Sequence, residues 1–234
     1  MIELYFWPTP NGQKAAIMLE ELGVEYQLKP ININKGDQHD DSFVALNPNR
    51  RIPVIVDTDG PGGEPYTVIE SGAILLYLAE KTGQLWPADT AQRYEVIQWV
   101  MFQMGNVGPM LGQYGHFFGY APEQLPYAIA RYKKESLRLY GILNDRLAEH
   151  DFLAGGEYSL ADIATYPWLA PPTRKFHDIK VEAFPHILAW CERLEARPAV
   201  QRGMALLEDT RKYGDPDADT LKNMFGIDKG AGDG

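Results

Sequence analysis

The spacing of apolar residues changes once along this chain, near residue 88, and that change restricts the folds open to it. Before that point short segments alternate between a two-residue and a helical repeat. Ile2–Phe6 reads as a strand, Pro8-Thr-Pro-Asn-Gly12 as a turn, and residues 13–22 as a helix stopped by Gly23. An extended run over 25–33, a polar loop over 35–38, a short segment over 43–46 and a strand over Val54–Asp57 follow. Residues 59–64 read as a hairpin loop before the strand Tyr66–Ile69, and a helix from Ser71 runs to its stop at Gly83. The order is βαβ, then ββα, which requires a mixed sheet. Beyond it no strand pattern recurs, and amphipathic segments fill 90–104, 123–149, 159–169, 184–196 and 199–213. The expected architecture is α/β plus all-α: a sheet domain over 1–86, a helical bundle over 87–213 and an acidic, Gly-rich tail over 214–234. Pro87 and small residues in the 83–89 segment suit a connector. The tail is expected to fray, although Leu221, Met224 and Phe225 could dock as one turn of helix.

Of the 234 residues, 45% are hydrophobic and 23% charged, enough apolar material for a sizeable core. The balance of 22 Lys and Arg against 32 Asp and Glu gives a net charge of -10, which repels nucleic acid and anionic membrane surfaces. A small-molecule partner is expected instead. The single cysteine, Cys191, cannot close an internal disulfide, and the first residues lack the basic and apolar runs of a secretion signal. A reducing cytoplasm is the expected setting. The longest stretch without Asp, Glu, Lys or Arg, 96–122, is interrupted by Gln98, Gln103, Asn106, Gln113 and several glycines, so no membrane span is expected. His39, His116, His150, His177 and His186 nowhere show metal-ligand spacing, and no metal is expected.

Three places carry candidate chemistry. Pro53, at the mouth of a strand, removes a ladder donor. Either it is an ordinary trans proline at a strand start, or a cis Ile52-Pro53 bond leaves the Ile52 N–H and C=O free to pair with an extended peptide. Glu70-Ser71 opens a helix, whose unpaired N–H groups and positive end suit a carboxylate. One reading is a simple cap; the other has Glu70 holding the amine of an α-amino-acid head and Ser71 its carboxylate. The third place is Thr9-Pro-Asn11-Gly12. The βαβ–ββα order resembles the thioredoxin-like fold, and there a redox Cys-x-x-Cys would stand at this helix start. No sulfur is present, so a thiolate bound here must come from a ligand, held by the Thr9 hydroxyl and the Asn11 amide. Turn and capping chemistry would also account for both residue types. Ser159-x-x-Asp162 reads as a capping box, and Cys191, in a late amphipathic helix, as a small core residue.

Tyr5 with Thr9-Pro-Asn-Gly12, Asn47-Pro-Asn-Arg-Arg51-Ile-Pro53, Glu70-Ser-Gly-Ala-Ile-Leu-Leu-Tyr-Leu-Ala-Glu80 and Ser159-Leu-Ala-Asp162-Ile together resemble a cytosolic glutathione S-transferase over nearly the whole chain. Thr9-Pro-Asn-Gly12 and Gln113 followed by Pro126-Tyr-Ala-Ile-Ala-Arg131-Tyr resemble the bacterial nu class, typified by glutathione-dependent disulfide-bond reductases. The resemblance implies glutathione as co-substrate. It places Asn11 and Thr9 at the sulfur, the Ile52-Pro53 edge along the cysteinyl backbone, Glu70 and Ser71 at the γ-glutamyl end, and Gln38 and Arg51 at the glycyl end. It also implies a homodimer in which Arg131 reaches the neighbouring site. Arg51 stands where many relatives carry Lys, which keeps the charge but changes donor geometry. Tyr5 is the rival sulfur activator, since other transferase classes use an N-terminal Tyr. The activity expected is disulfide-bond reduction through a glutathione thiolate and a mixed disulfide. The alternatives are conjugation or organic hydroperoxide reduction, with a pocket wall over 102–118, or a glutathione-binding module without catalysis.

Overall fold

The computed structural model describes residues 1–210 and 217–227. Its four strands, β1 (Ile2–Phe6), β2 (Tyr26–Pro30), β3 (Val54–Asp57) and β4 (Tyr66–Ile69), form one sheet in the order β2-β1-β3-β4. β1 runs parallel to β2 through the crossover helix α1 (Pro10–Leu22), and β3 runs antiparallel to both β1 and β4. The sheet is therefore mixed, as the order of elements requires. Two-residue alternation sorts β1 by face. Ile2, Leu4 and Phe6 join a buried cluster with Ile17 of α1 and with Ile74 and Leu75 of α3 (Ser71–Thr82). Tyr5 is on the opposite face, its ring 6.2 Å from that of Phe43 in α2 (Asp41–Val44).

The helical part begins with α4 (Thr90–Phe102) and α5 (Gly108–Gly115), joined by a π-helical turn over Gln103–Val107; a second π turn, His116–Tyr120, follows. α6 (Pro126–Glu149), α7 (Leu160–Leu169), α8 (Pro171–Phe176), α9 (Pro185–Glu195) and α10 (Pro198–Ala205) complete the body. The expected break after residue 104 is absent, because π turns carry the helical path through Gly105 and the Gly108-Pro109 pair. α5 and α8 had no counterpart in the sequence reading. The segment expected to be helical to 213 ends at Ala205, and residues 211–213 lie outside the described ones.

α1 is enclosed on nearly every side, with residues 12–19 all buried between α3, α7 and α10. α10 approaches so closely that a β-carbon on Gly203 would lie 2.7 Å from the Ile17 backbone. Arg197 fastens the same seam with two bonds to Glu21, at 2.7 and 2.9 Å. Each large apolar side chain sealed here contributes roughly 1.5–3 kcal/mol, so the placement of α1 is over-determined. At the start of α7, Asp162 accepts from Ser159 N (3.0 Å), Ser159 Oγ (3.2 Å), Leu153 N (3.0 Å) and Trp190 Nε1 (2.9 Å). This is the capping box with additional donors. Burial pushes the carboxyl up to about 6 while the four donors favour its ionised form.

In the described part of the tail, residues 217–227, the docked alternative holds; 214–216 and 228–234 lie outside the described residues. α11 (Ala218–Phe225) docks on the body over two turns: Leu221 is buried, Asn223 bonds to Asn34, and Phe225 packs against His116 and Tyr120. Among the described residues no helix is long and apolar enough to cross a membrane, and no group of three His, Cys, Asp or Glu is placed to hold a metal.

Candidate active site

The first turn of α1 opens a cleft. Thr9 is its N-cap, with Oγ1 accepting from Gly12 N–H at 3.2 Å, which leaves the hydroxyl hydrogen for another acceptor. Gly12 is required for closeness, since a β-carbon there would lie 2.2 Å from the Trp7 carbonyl oxygen. Asn11 is oriented by a residue that sequence reasoning missed: the Trp168 indole N–H donates to Asn11 Oδ1 at 3.1 Å. An indole is only a donor, so the amide oxygen must face it and the amide NH2 is directed elsewhere. Among the described residues neither that NH2 nor the Asn11 backbone N–H has a hydrogen-bond partner, and Asn11 lines the cleft. Donors and the positive end of a helix therefore meet at a place that holds no cysteine.

On one side of this helix start, Ile52, Pro53, Arg51, Glu70 and Ser71 line a continuous groove with Asn11. The Ile52-Pro53 bond is cis. The pairing of β1 and β3 begins at Val54, and the Ile52 N–H and C=O have no hydrogen-bond partner among the described residues. Glu70 holds the positive φ of 68° at the entry to α3, a conformation that costs a non-glycine residue of order 1–3 kcal/mol and is concentrated at functional sites. No side chain caps α3. The Glu70 side chain therefore does not serve as a cap, and the residue is exposed at the helix entry.

Gln38 and Arg51 line the adjoining section with Thr9, Asn11 and Ile52. Gln38 is buried, and its Nε2 donates to the Asn223 carbonyl of α11 at 2.8 Å. On the other side lies an apolar cleft bounded by Trp7, Tyr120, Trp168, Phe176 and Met224, with Gly112 and Gly115 as its floor. The wall expected from 102–118 thus contributes two glycines, while most of the aromatic surface comes from the β1–α1 turn, α7 and α8.

Two candidates lie elsewhere. The Tyr5 hydroxyl, outside the cleft lining, donates to Glu3 at 3.2 Å; burial and that carboxylate push its pKa up, the direction opposite to what sulfur activation needs. Arg131 is exposed on α6 and lines none of these clefts. Cys191 is buried, and burial pushes its thiol up to about 12. It is no nucleophile.

Family models for the N-terminal and C-terminal domains of glutathione S-transferase match residues 9–81 and 108–198. The chain belongs to the glutathione S-transferase family. Within it, the chain is 47% identical over 209 residues to the disulfide-bond oxidoreductase YfcG of Escherichia coli K12, covering 89% of this chain and 95% of that protein. A family member from Pseudomonas fluorescens Pf-5, crystallised with two glutathione molecules bound, superposes with a TM-score of 0.83 at 42% identity, covering 87% of this chain and 92% of that one. A transferase from Pseudomonas putida with one glutathione disulfide per subunit gives the same TM-score and identity, over 87% and 90% of the two chains. A glutathione S-transferase without a reactive cysteine of its own draws its reacting sulfur from the tripeptide.

Proposed function

We propose that this glutathione S-transferase is a glutathione-dependent disulfide-bond oxidoreductase, and the observation that carries the reading is the Trp168-oriented Asn11 amide at a helix start without cysteine. Glutathione lies extended along Ile52-Pro53, its γ-glutamyl end at Glu70 and Ser71 and its glycyl end near Gln38 and Arg51. The Asn11 amide, the Thr9 hydroxyl and the α1 terminus stabilise its thiolate. That thiolate attacks one sulfur of a substrate disulfide; a mixed disulfide forms and the other substrate sulfur leaves as thiolate. A second glutathione thiolate attacks the glutathione sulfur of the mixed species, giving glutathione disulfide and releasing the second substrate thiolate. Two glutathione thiols are oxidised, one disulfide is reduced, and the two thiol protons end on the two product thiols.

The relatives support this reading: one carries the name disulfide-bond oxidoreductase, and solved neighbours hold two glutathiones or one glutathione disulfide. The apolar cleft beside Thr9 is the place for the acceptor, and its lining by Trp7, Trp168, Phe176 and Met224 also favours a second activity toward apolar electrophiles or organic hydroperoxides. We place the enzyme in the cytoplasm as a homodimer, with the exposed Arg131 directed to the neighbouring subunit's glutathione. Reduction of hydroxyethyl disulfide by glutathione tests the reading. A rate equal to the uncatalysed background refutes it, and turnover of cumene hydroperoxide or an aryl halide without disulfide reduction favours the second activity.

A further inference from the structure

Lys14 is the only charged residue between Pro10 and Leu19, and it is buried, with 1% of its surface exposed. An ammonium has three N–H donors, and three acceptors surround this one: Gln103 Oε1 at 2.6 Å, Ser71 Oγ at 3.2 Å and Met104 Sδ at 3.4 Å. None of them is an anion. Burying a cation without a paired charge is costly, and desolvation pushes this amine down to about 7, opposed by the nearby charge of Glu70. The other charged groups on or against α1 are directed elsewhere: Glu20 with Arg202, Glu21 with Arg197, Glu3 with Lys29 and Tyr5, Asp162 with its four donors and Lys81 of α3 with Asp57, while Glu80 of α3 is exposed. The 103–107 turn brings no titratable side chain.

We propose that Lys14 is a positioning residue for the γ-glutamyl end of glutathione: acting through Ser71, it supplies the buried positive charge that balances the ligand's α-carboxylate, while Glu70 balances its α-ammonium. This rests on the assignment of Glu70 and Ser71 to that end of the ligand. An α-amino-acid head is a zwitterion, and Glu70 alone would set a net negative charge against it. With Lys14 the receiving pair is neutral overall and opposite in sign at each end. The Ser71 hydroxyl can accept from Lys14 and donate its own hydrogen at the same time. In the structure that hydrogen goes to Met104 Sδ at 3.6 Å, a weak acceptor that a carboxylate readily replaces.

Calorimetric titration with two ligands tests this: glutathione, and 4-aminobutyryl-cysteinylglycine, which keeps the amine and lacks only the carboxylate. Lys14→Met keeps the bulk and removes the charge but leaves the buried Gln103 Oε1 without its donor; Lys14→Gln, which removes the charge and keeps an N–H donor, is the second variant. In both variants glutathione affinity should fall about tenfold or more, while affinity for the analogue changes less than about twofold, as loss of a charge-assisted bond requires. Equal losses for the two ligands would make Lys14 a packing residue and overturn the proposal, as would no loss for either. An unmodified chain that binds both ligands equally overturns it without any variant. Failure of the unmodified chain to bind glutathione at all sinks the site assignment itself, and is distinguishable from the other outcomes.

Discussion

Replacing Lys14 by methionine should flatten the rise of folding stability with pH above neutrality. In the folded chain the amine titrates at about 7, against the ordinary 10.5 expected once the chain unfolds. Its folded value is depressed, so between those two values the unfolded chain holds one proton more, and stability must rise with pH. The contribution is complete above the unfolded value and is lost as pH falls through the folded one. A difference of one proton corresponds to about 1.4 kcal/mol per pH unit, so from roughly pH 7.5 to 9.5 the natural chain should gain about 2–3 kcal/mol that Lys14→Met does not. Tyr26, Tyr77 and the other shifted groups are common to both proteins and cancel in the difference. Urea unfolding of the two proteins at several pH values measures it, provided the denaturant slopes agree. Saturating glutathione should reduce the difference, because a carboxylate at Ser71 raises the amine's pKa. Parallel stability profiles would refute the reasoning: the amine would then be hydrated, or paired with a charge in a way that cancels its burial.

On the proposed sulfur assignment, Asn11→Ala removes one directed donor and should lower disulfide-reduction kcat roughly 10- to 1000-fold with glutathione still bound, about the range of other preorganised donors. Trp168→Phe, which frees the Asn11 amide to rotate, should lower kcat by a smaller factor; unchanged turnover in Asn11→Ala would end the sulfur assignment. Leu221→Asp should detach α11, withdraw Met224 from the cleft walls and release Gln38, raising KM for an apolar disulfide several-fold while leaving the body folded. Limited proteolysis with steady-state kinetics checks this, and an unchanged acceptor KM in the detached form counts against α11 as part of the site. Cys191→Ala should retain full turnover, and native Cys191 should resist thiol reagents until unfolding, because its buried thiol is pushed up to about 12. Loss of turnover with retained fold would mean that the protein uses its own sulfur.

The sheet and the helix starts were legible because local signals fix them. Strand alternation, Thr9 ahead of Pro10, and Gly83 after Thr82 each act within a few residues. The family resemblance drew residues 9, 11, 52, 70 and 71 to one site, and each sits at or beside the end of an element whose order was clear; Asn11, Ile52, Glu70 and Ser71 line one groove, with Thr9 in the adjoining section. What escaped depends on distant partners. Trp168 reaches Asn11 from 157 positions away and Gln103 reaches Lys14 from 89, and a single sequence carries no register between such segments. One local signal for Lys14 did exist: a lone charge three positions beyond Asn11, inside an otherwise uncharged stretch. α5 was hidden by its glycines, which lower helix propensity but here leave room for the Trp168 ring against Gly112.

The distribution of charge follows from what a useful thiolate requires. Lowering a thiol's pKa increases its ionised fraction but weakens it as a nucleophile, so strong stabilisation defeats itself. Neutral donors and a helix end equivalent to roughly half a charge supply a moderate pull, and those are what α1 offers at Thr9 and Asn11. The amine of the same helix, Lys14, lies about one turn further in and points to Ser71, the proposed seat of an ordinary carboxylate, which would draw a proton onto that amine and has no nucleophilicity to lose. Glutathione affinity, carried in part by the exposed charges of Glu70 and Arg51, should therefore weaken with added salt, while the pKa of the bound thiol, set by the half-buried dipoles of Thr9, Asn11 and the helix end, should move less. A thiol pKa that climbs steeply with salt would place an unshielded full charge beside the sulfur and contradict this division of labour.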